Sequence, residues 1–125
     1  STGVYTINHI HLPMVDAAHR TSLKFPQEVS EFEATGLTAL DMDGFAAPYA
    51  AESQVQMGMN YLNHYTIAEN GTILVVGQVT HLYANAQVLA TDGFLQLDQV
   101  ATVTINGLDG YALPELIQRM PYEKL

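Results

Sequence analysis

Residues 70–111 read NGTILVVGQVTHLYANAQVLATDGFLQLDQVATVTINGLDGY. The stretch begins with Asn70-Gly71, a pair that tolerates positive φ at both central positions of a type I′ turn. This pair separates two apolar runs, residues 55–67 and 72–83. The pattern therefore predicts an antiparallel β-hairpin.

The second strand of this hairpin is apolar at its start. Residues 73–76 are all β-branched or leucine. A strand with one solvated face would alternate, so this run predicts a strand that is buried on both faces. Gly77 interrupts the run, and a glycine inside a strand marks either a β-bulge or the close approach of another group. Of these two interpretations we favour the bulge over a bound ligand.

Outside this stretch the pattern predicts short strands, tight turns and two small helices. Pro13 suits the first turn of one helix, Ser30 and Glu33 form a capping-box pattern for the other, and Gly36 is a helix-end signal. The predicted strands are residues 3–12, 37–42, 54–65 and 101–105; the helices are 13–22 and 29–34; the turns are 43–44 and 92–93; and one or two helical turns are expected at 114–119. Several short strands with small helices suit a β-barrel with peripheral helices.

Composition limits the classes of function. The chain has 125 residues, 48% of them hydrophobic and 14% charged, with a formal net charge of −9. One folded domain is expected. Nucleic acid and anionic membrane are both polyanions that need Lys and Arg, and only four are present, so neither is a predicted partner. With no cysteine for disulfides and no apolar run of about 20 residues, the sequence fits a cytoplasmic protein.

Three histidines are candidates for chemistry. His9 and His11 lie two apart in a predicted strand, so their side chains point the same way, as in a two-histidine metal site. No third ligand is near in the sequence, and we predict no metal; burial at an interface or at the edge of a bound ring is the preferred interpretation. His81, beside Tyr83, either donates to a ring ligand or packs at a barrel rim.

Residues 107–111, GLDGY, form the best candidate for a binding loop. Gly107 and Gly110 would let the backbone approach a flat ring, and Tyr111 could line the edge of that ring; an ordinary turn with a packed tyrosine is an equal alternative. No Gly-x-Ser-x-Gly nucleophile turn, phosphate-binding loop or Gly-x-Gly-x-x-Gly dinucleotide motif is present.

Taken in order, several of these pieces resemble the flavin reductase family. ILVVGQV at 73–79 is similar to a family strand with the pattern apolar-apolar-Gly-Glu/Gln-Val, and GLDGY is similar to a loop that reads Gly-x-x-x-Tyr. TGVYTIN at 2–8 is similar to the family's Thr-Gly-x-Phe-x-Val-Asn strand. Further matches are FP at 25–26, EF at 31–32, GL at 36–37, AES at 51–53, DG at 92–93 and LD at 97–98.

The resemblance implies a mainly β fold, an antiparallel split β-barrel of Greek-key type with two short peripheral helices. It also implies a homodimer that binds FMN and passes a hydride from NAD(P)H to flavin. The alternative is a flavin-binding or dimerisation barrel without turnover. The residues that the resemblance and the sequence together place at the flavin site are Gly107, Gly110, Tyr111, His81, Phe25, Phe32, Glu52 and Ser53.

The chain departs from the family at its start. Family members begin with two or three strands that carry many contacts to the FMN phosphate, whereas this chain starts at what would be an internal strand. We therefore expect residues 1–125 to be the C-terminal two-thirds of one split-barrel domain, incomplete at the N-terminus. A separate N-terminal fragment of the same protein could supply the remaining strands.

Overall fold

The computed structural model describes residues 3–122, so Thr2 of the TGVYTIN motif lies outside the described residues. The architecture is mainly β, with two short helices, as the sequence predicts. The strands are β1 Val4–Asn8, β2 Ala39–Leu40, β3 Tyr49–Ala50, β4 Val55–Ile67, β5 Thr72–Ala84, β6 Thr104–Asn106 and β7 Gly110–Ala112; the helices are α1 Val15–Arg20 and α2 Glu31–Thr35. In this part of the chain, no helix is long and apolar enough to cross a membrane.

The predicted hairpin is confirmed and forms the main sheet. β4 and β5 pair antiparallel, and β1 pairs with the other edge of β4, giving the order β1-β4-β5. The predicted type I′ turn is wrong, because the loop has four residues, 68–71, of which Gly71 alone has positive φ. A turn with two positive φ values occurs instead at Asp43-Gly44, where φ is 52° and 68°.

Two β-bulges interrupt the long hairpin. One lies on β4 at Leu62, opposite the junction of Val76 and Gly77, and the other lies on β5 at Thr80. The glycine predicted to mark a bulge therefore lies beside one. A Cβ at position 77 would also collide with the Tyr5 hydroxyl, so the glycine makes room for that side chain.

The core lies at the base of the hairpin, where Tyr49 covers β4. Tyr49 and Val55 have no exposed surface. β1 holds this segment in place, because the Thr6 hydroxyl donates to the Pro48 carbonyl (2.8 Å) and the Asn8 side chain accepts from the Ala50 N–H (3.0 Å). The strand next to Tyr49 is thus fixed by polar contacts on either side of a buried ring.

The other end of the hairpin is exposed, which contradicts the prediction for residues 73–76. Ile73, Leu74, Val75 and Val76 are between 40% and 60% exposed. The apolar run correctly predicted a strand, but β1 reaches only as far as Asn60 of β4, and nothing else in residues 3–122 pairs with β4 or β5 beyond that point.

The remaining elements follow the predictions with shifted ends. β1 ends at Asn8 rather than at residue 12, and Ser30 precedes α2 without a side-chain capping bond, whereas Gly36 ends α2 with φ 85° as predicted. The predicted turn at residues 92–93 forms. The predicted helical turns at 114–119 are absent: this tail is irregular, and Arg119 ties it to Asp92 (2.8 Å) and lies 3.9 Å above the Phe94 ring.

Candidate functional site

A groove of about 640 Å³ runs between the end of β1, helix α1 and the segments that flank β4 and β5. One side is mainly apolar, and the other carries amide side chains. The apolar lining is Pro13, Met14, Ala17, Leu37 and Val100. The polar lining is His11, Glu52, Gln54, Asn85, Gln87 and Gln99.

His11 is a fixed, neutral ring at the wall of this groove. The Gln54 N–H donates to its Nε2 (2.7 Å), so Nε2 is the unprotonated nitrogen and Nδ1 carries the proton toward the Val100 carbonyl (3.1 Å). Burial lowers the pKa of His11, the bond to Val100 raises it, and nearby His9 lowers it further, with a net decrease. Both nitrogens of His11 are thus engaged. Within residues 3–122, no three His, Asp or Glu side chains are grouped to hold a metal ion.

Glu52 and Ser53 are committed to the backbone around them. Both carboxylate oxygens of Glu52 accept from the Thr38 N–H (2.9 and 3.0 Å). Partial burial acts to raise the pKa of Glu52, but these hydrogen bonds lower it by more, so Glu52 stays ionised. The buried Ser53 hydroxyl lies 2.7 Å from the His9 carbonyl and 2.8 Å from that of Val55. Of the two, only Glu52 lines the groove.

The GLDGY loop joins β6 to β7 and lies against helix α1. The Tyr111 hydroxyl is 2.8 Å from His19 Nδ1, and the two rings meet edge to face at 5.5 Å. They border a second cavity of about 460 Å³ with Arg20, Asp16 and Asp109. Gly107 has φ 67°, and a Cβ at Gly110 would lie 2.9 Å from the Asn106 carbonyl oxygen, so both glycines serve the tight turn.

His81 lies in an aromatic cluster away from both cavities. Its ring stacks on Tyr83 and meets Phe45 edge to face, with centroids 6.4 and 5.2 Å apart. The Tyr83 hydroxyl donates a short hydrogen bond to Asp43, which raises the pKa of Tyr83 to about 12. Burial raises the pKa of Tyr49, and the charge of Asp43 raises it further. In the described part of the chain, the buried Tyr49 hydroxyl has no hydrogen-bond partner.

Phe32 and Phe25 lie apart from the cluster. Phe32, on α2, lines a cavity of about 240 Å³ together with Asn8, Leu37 and Ala50. Phe25 is half-buried in the loop before α2.

The residues proposed from the sequence therefore lie in several separate places: Glu52 at the groove, Tyr111 at the second cavity, His81 in the aromatic cluster and Phe32 beneath α2. Their assignment to a flavin site stays a prediction. The sequence reading missed the amides Gln54, Asn85, Gln87 and Gln99, which share the groove. Neutral amides carry no motif, and only the proximity of Gln54 to Glu52 could have drawn attention to one of them.

Comparison with solved structures identifies the fold. Over 98% of its length the chain superposes on a split-barrel-domain protein from Shewanella frigidimarina NCIMB 400, to which a flavin reductase function has been ascribed, with 39% sequence identity and a TM-score of 0.94. The chain has the flavin reductase-like split-barrel fold. The resemblance inferred from the sequence is thereby confirmed. The chain spans 62% of the length of that Shewanella protein.

Two more distant structures share the fold. Flavoredoxin of Desulfovibrio vulgaris (Miyazaki F) is 17% identical, with a TM-score of 0.79 over 97% of this chain and 64% of its own. The FMN-binding domain of a flavin reductases-like enzyme from Shewanella baltica OS155 is 17% identical, with a TM-score of 0.72 over 95% of this chain and 64% of its own. No protein-family model matches the chain, and no curated protein matches it.

The split-barrel fold implies FMN, and the lining of the groove fits one part of that molecule. An isoalloxazine ring has flat apolar faces and a polar pyrimidine edge, which the apolar side and the amides of the groove would complement. The phosphate finds no counterpart there, because no Lys or Arg lines the groove. Arg20 borders the second cavity, but Asp16 and Asp109 border it too. The described residues thus fit the flavin ring and do not fit its phosphate.

Proposed function

We propose that this chain is the flavin-ring-binding part of a flavin reductase-like protein that binds FMN and passes a hydride from NAD(P)H to flavin. The observation that carries the proposal is the 39% identity to the Shewanella frigidimarina protein across 98% of the chain. Because the chain spans 62% of that protein, the phosphate contacts are assigned to residues other than those of the groove.

In this proposal the flavin supplies the hydride chemistry, and the chain supplies position and hydrogen bonds. Pro13, Met14 and Leu37 pack against a flat ring, and Gln54 with Gln87 bonds its polar edge. No side chain has to act as a strong acid or base. That agrees with the groove, where His11 is held neutral by its two hydrogen bonds and Glu52 is held as a carboxylate.

Flavin titration tests this proposal directly. The purified protein should quench the fluorescence of both FMN and riboflavin on binding, and it should oxidise NADH or NADPH when flavin is present. Riboflavin lacks the phosphate, so similar affinities for the two would place the binding energy of this chain in the ring. A protein that binds neither flavin would contradict the proposal, whereas binding without oxidation of NADH or NADPH would leave the non-catalytic alternative.

A matched pair of variants locates the ring. Gln87→Leu removes a groove amide and should weaken flavin binding by about tenfold, the effect of losing one good hydrogen bond. Gln78→Leu makes the same change on β5, at an exposed position away from the groove, and should leave the affinity unchanged. Equal effects of the two variants would exclude the groove as the ring site.

A further inference from the structure

The outer half of the β4–β5 hairpin presents an uncovered apolar surface. Residues paired directly across the strands share a face, so the pairs Tyr65–Leu74 and Asn63–Val76, together with Ile67, define one side of the sheet. We name Tyr65, Ile67, Leu74 and Val76 the distal face. Each of these four side chains is between 39% and 57% exposed.

The opposite side of the same strands is more polar. There His64 pairs with Val75 and Thr66 pairs with Ile73, and the Tyr61 hydroxyl is hydrogen-bonded to the His64 ring. The distal face lacks such polar groups apart from Asn63 and the hydroxyl of Tyr65, which bond each other. Of the two sides, the distal face is therefore the better apolar contact surface.

The hairpin is also electrically neutral in a strongly acidic chain. Strands β4 and β5 hold 26 residues without one Asp, Glu, Lys or Arg, although the chain carries 13 acidic residues and a net charge of −9. Two copies of such a chain repel each other except through a neutral surface. A long strand edge without charged residues is moreover the kind of edge that pairs with another chain.

The total exposed area leaves room for a partner. The chain exposes 9164 Å², whereas a compact monomer of 13.7 kDa is expected to expose about 6,600 Å². A standard interface buries about 800 Å² on each partner, so the excess is ample for one.

We propose that a second copy of this chain packs on the distal face, so that two hairpins cover each other in a two-fold symmetric dimer. The neutrality and the apolar composition of the face favour an identical partner, because a symmetric contact places the same uncharged surface on both sides. This inference does not depend on flavin binding.

Sedimentation of the 125-residue chain tests the proposal, with two neighbouring substitutions as a matched pair. Leu74→Asp places a carboxylate in the distal face and should raise the dimer dissociation constant by about 100-fold or more. Ile73→Asp makes the same change one residue away, at similar exposure but on the opposite side of the sheet, and should change that constant by less than about threefold.

Circular dichroism of both variants establishes that the hairpin still folds. If either variant unfolds, Leu74→Gln and Ile73→Gln replace the pair, and the same order of effects is expected. A wild-type chain that sediments as a monomer at about 100 μM, far above the dissociation constant of a standard interface, would overturn the proposal. Equal effects at positions 73 and 74 would also overturn it, since the contact would then not be on the distal face.

Discussion

The two ends of one hairpin differ in burial although they are built from similar residues. At the base, Val55 and Met59 are buried beneath Tyr49 and beside β1. At the tip, Leu74 and Val76 are as apolar but remain about half exposed. What separates them is the neighbouring chain: β1 and the 48–50 segment reach the base and stop before the tip. Burial in a sheet is therefore decided by which elements lie over a strand as well as by the strand's own residues.

The largest expected effect comes from truncating the ring that covers the base. Tyr49→Ala should lower the free energy of unfolding by about 3–5 kcal/mol, because it empties a fully buried site. Leu74→Ala at the tip should change it by less than about 0.5 kcal/mol when the chain is monomeric. Urea unfolding at low protein concentration measures both. Similar losses for the two variants would mean that the base and the tip are equally packed.

Two glycines offer a second test of the same contrast. Gly58→Ala would place a Cβ 2.5 Å from the Tyr49 hydroxyl oxygen and 3.1 Å from the His81 Cβ, so it should cost about 1–3 kcal/mol. Gly77→Ala, farther toward the tip, would meet mainly the Tyr5 hydroxyl, the far end of a side chain that can turn aside. Its cost should be smaller, and thermal unfolding will rank the two. A larger loss at position 77 would show that Tyr5 is held rigidly.

The smallest effect is a pH dependence that arises at the base. The folded-state pKa of His11 lies below its ordinary value of 6.5, so the unfolded chain binds the proton more readily. This contribution to stability is complete above pH 6.5 and decreases as the pH falls from there toward the folded-state pKa. His11→Gln should flatten the decrease in unfolding free energy with pH. His64→Gln, at an exposed position near the tip, should leave the slope unchanged; a slope unaffected by His11→Gln would contradict the neutral assignment.

Much of the fold could be predicted, because its signals are local. The apolar runs of β4 and β5, the glycines at 36 and 77 and the turn at 92–93 depend on neighbours in the sequence, and the structure has them. The burial of residues 73–76 could not be predicted, because it depends on elements distant in the chain. The tail at 114–119 shows the same limit, since Arg119 is held by Asp92 and Phe94 rather than by a helix.

The groove was harder to predict than the fold. Glu52 was found because it belongs to a recognisable AES motif, whereas Gln87 and Gln99 come together only through folding. His11 was considered as a metal ligand from its spacing to His9. Its actual hydrogen bonds, to the backbone of Gln54 and Val100, join segments some 40 and 90 residues away and leave no trace in the pattern.

The two β-bulges act on the hairpin as an insertion and a compensating insertion act on a reading frame. Leu62 adds one residue to β4 and Thr80 adds one to β5, so the pairing offset changes between them and is then restored. Losing both residues would keep the tip and the base in their present phase. Losing Thr80 alone would leave everything beyond it out of phase and exchange the inner and outer side chains of the tip. Variation among descendants of this hairpin should therefore remove or add such residues in pairs, one on each strand.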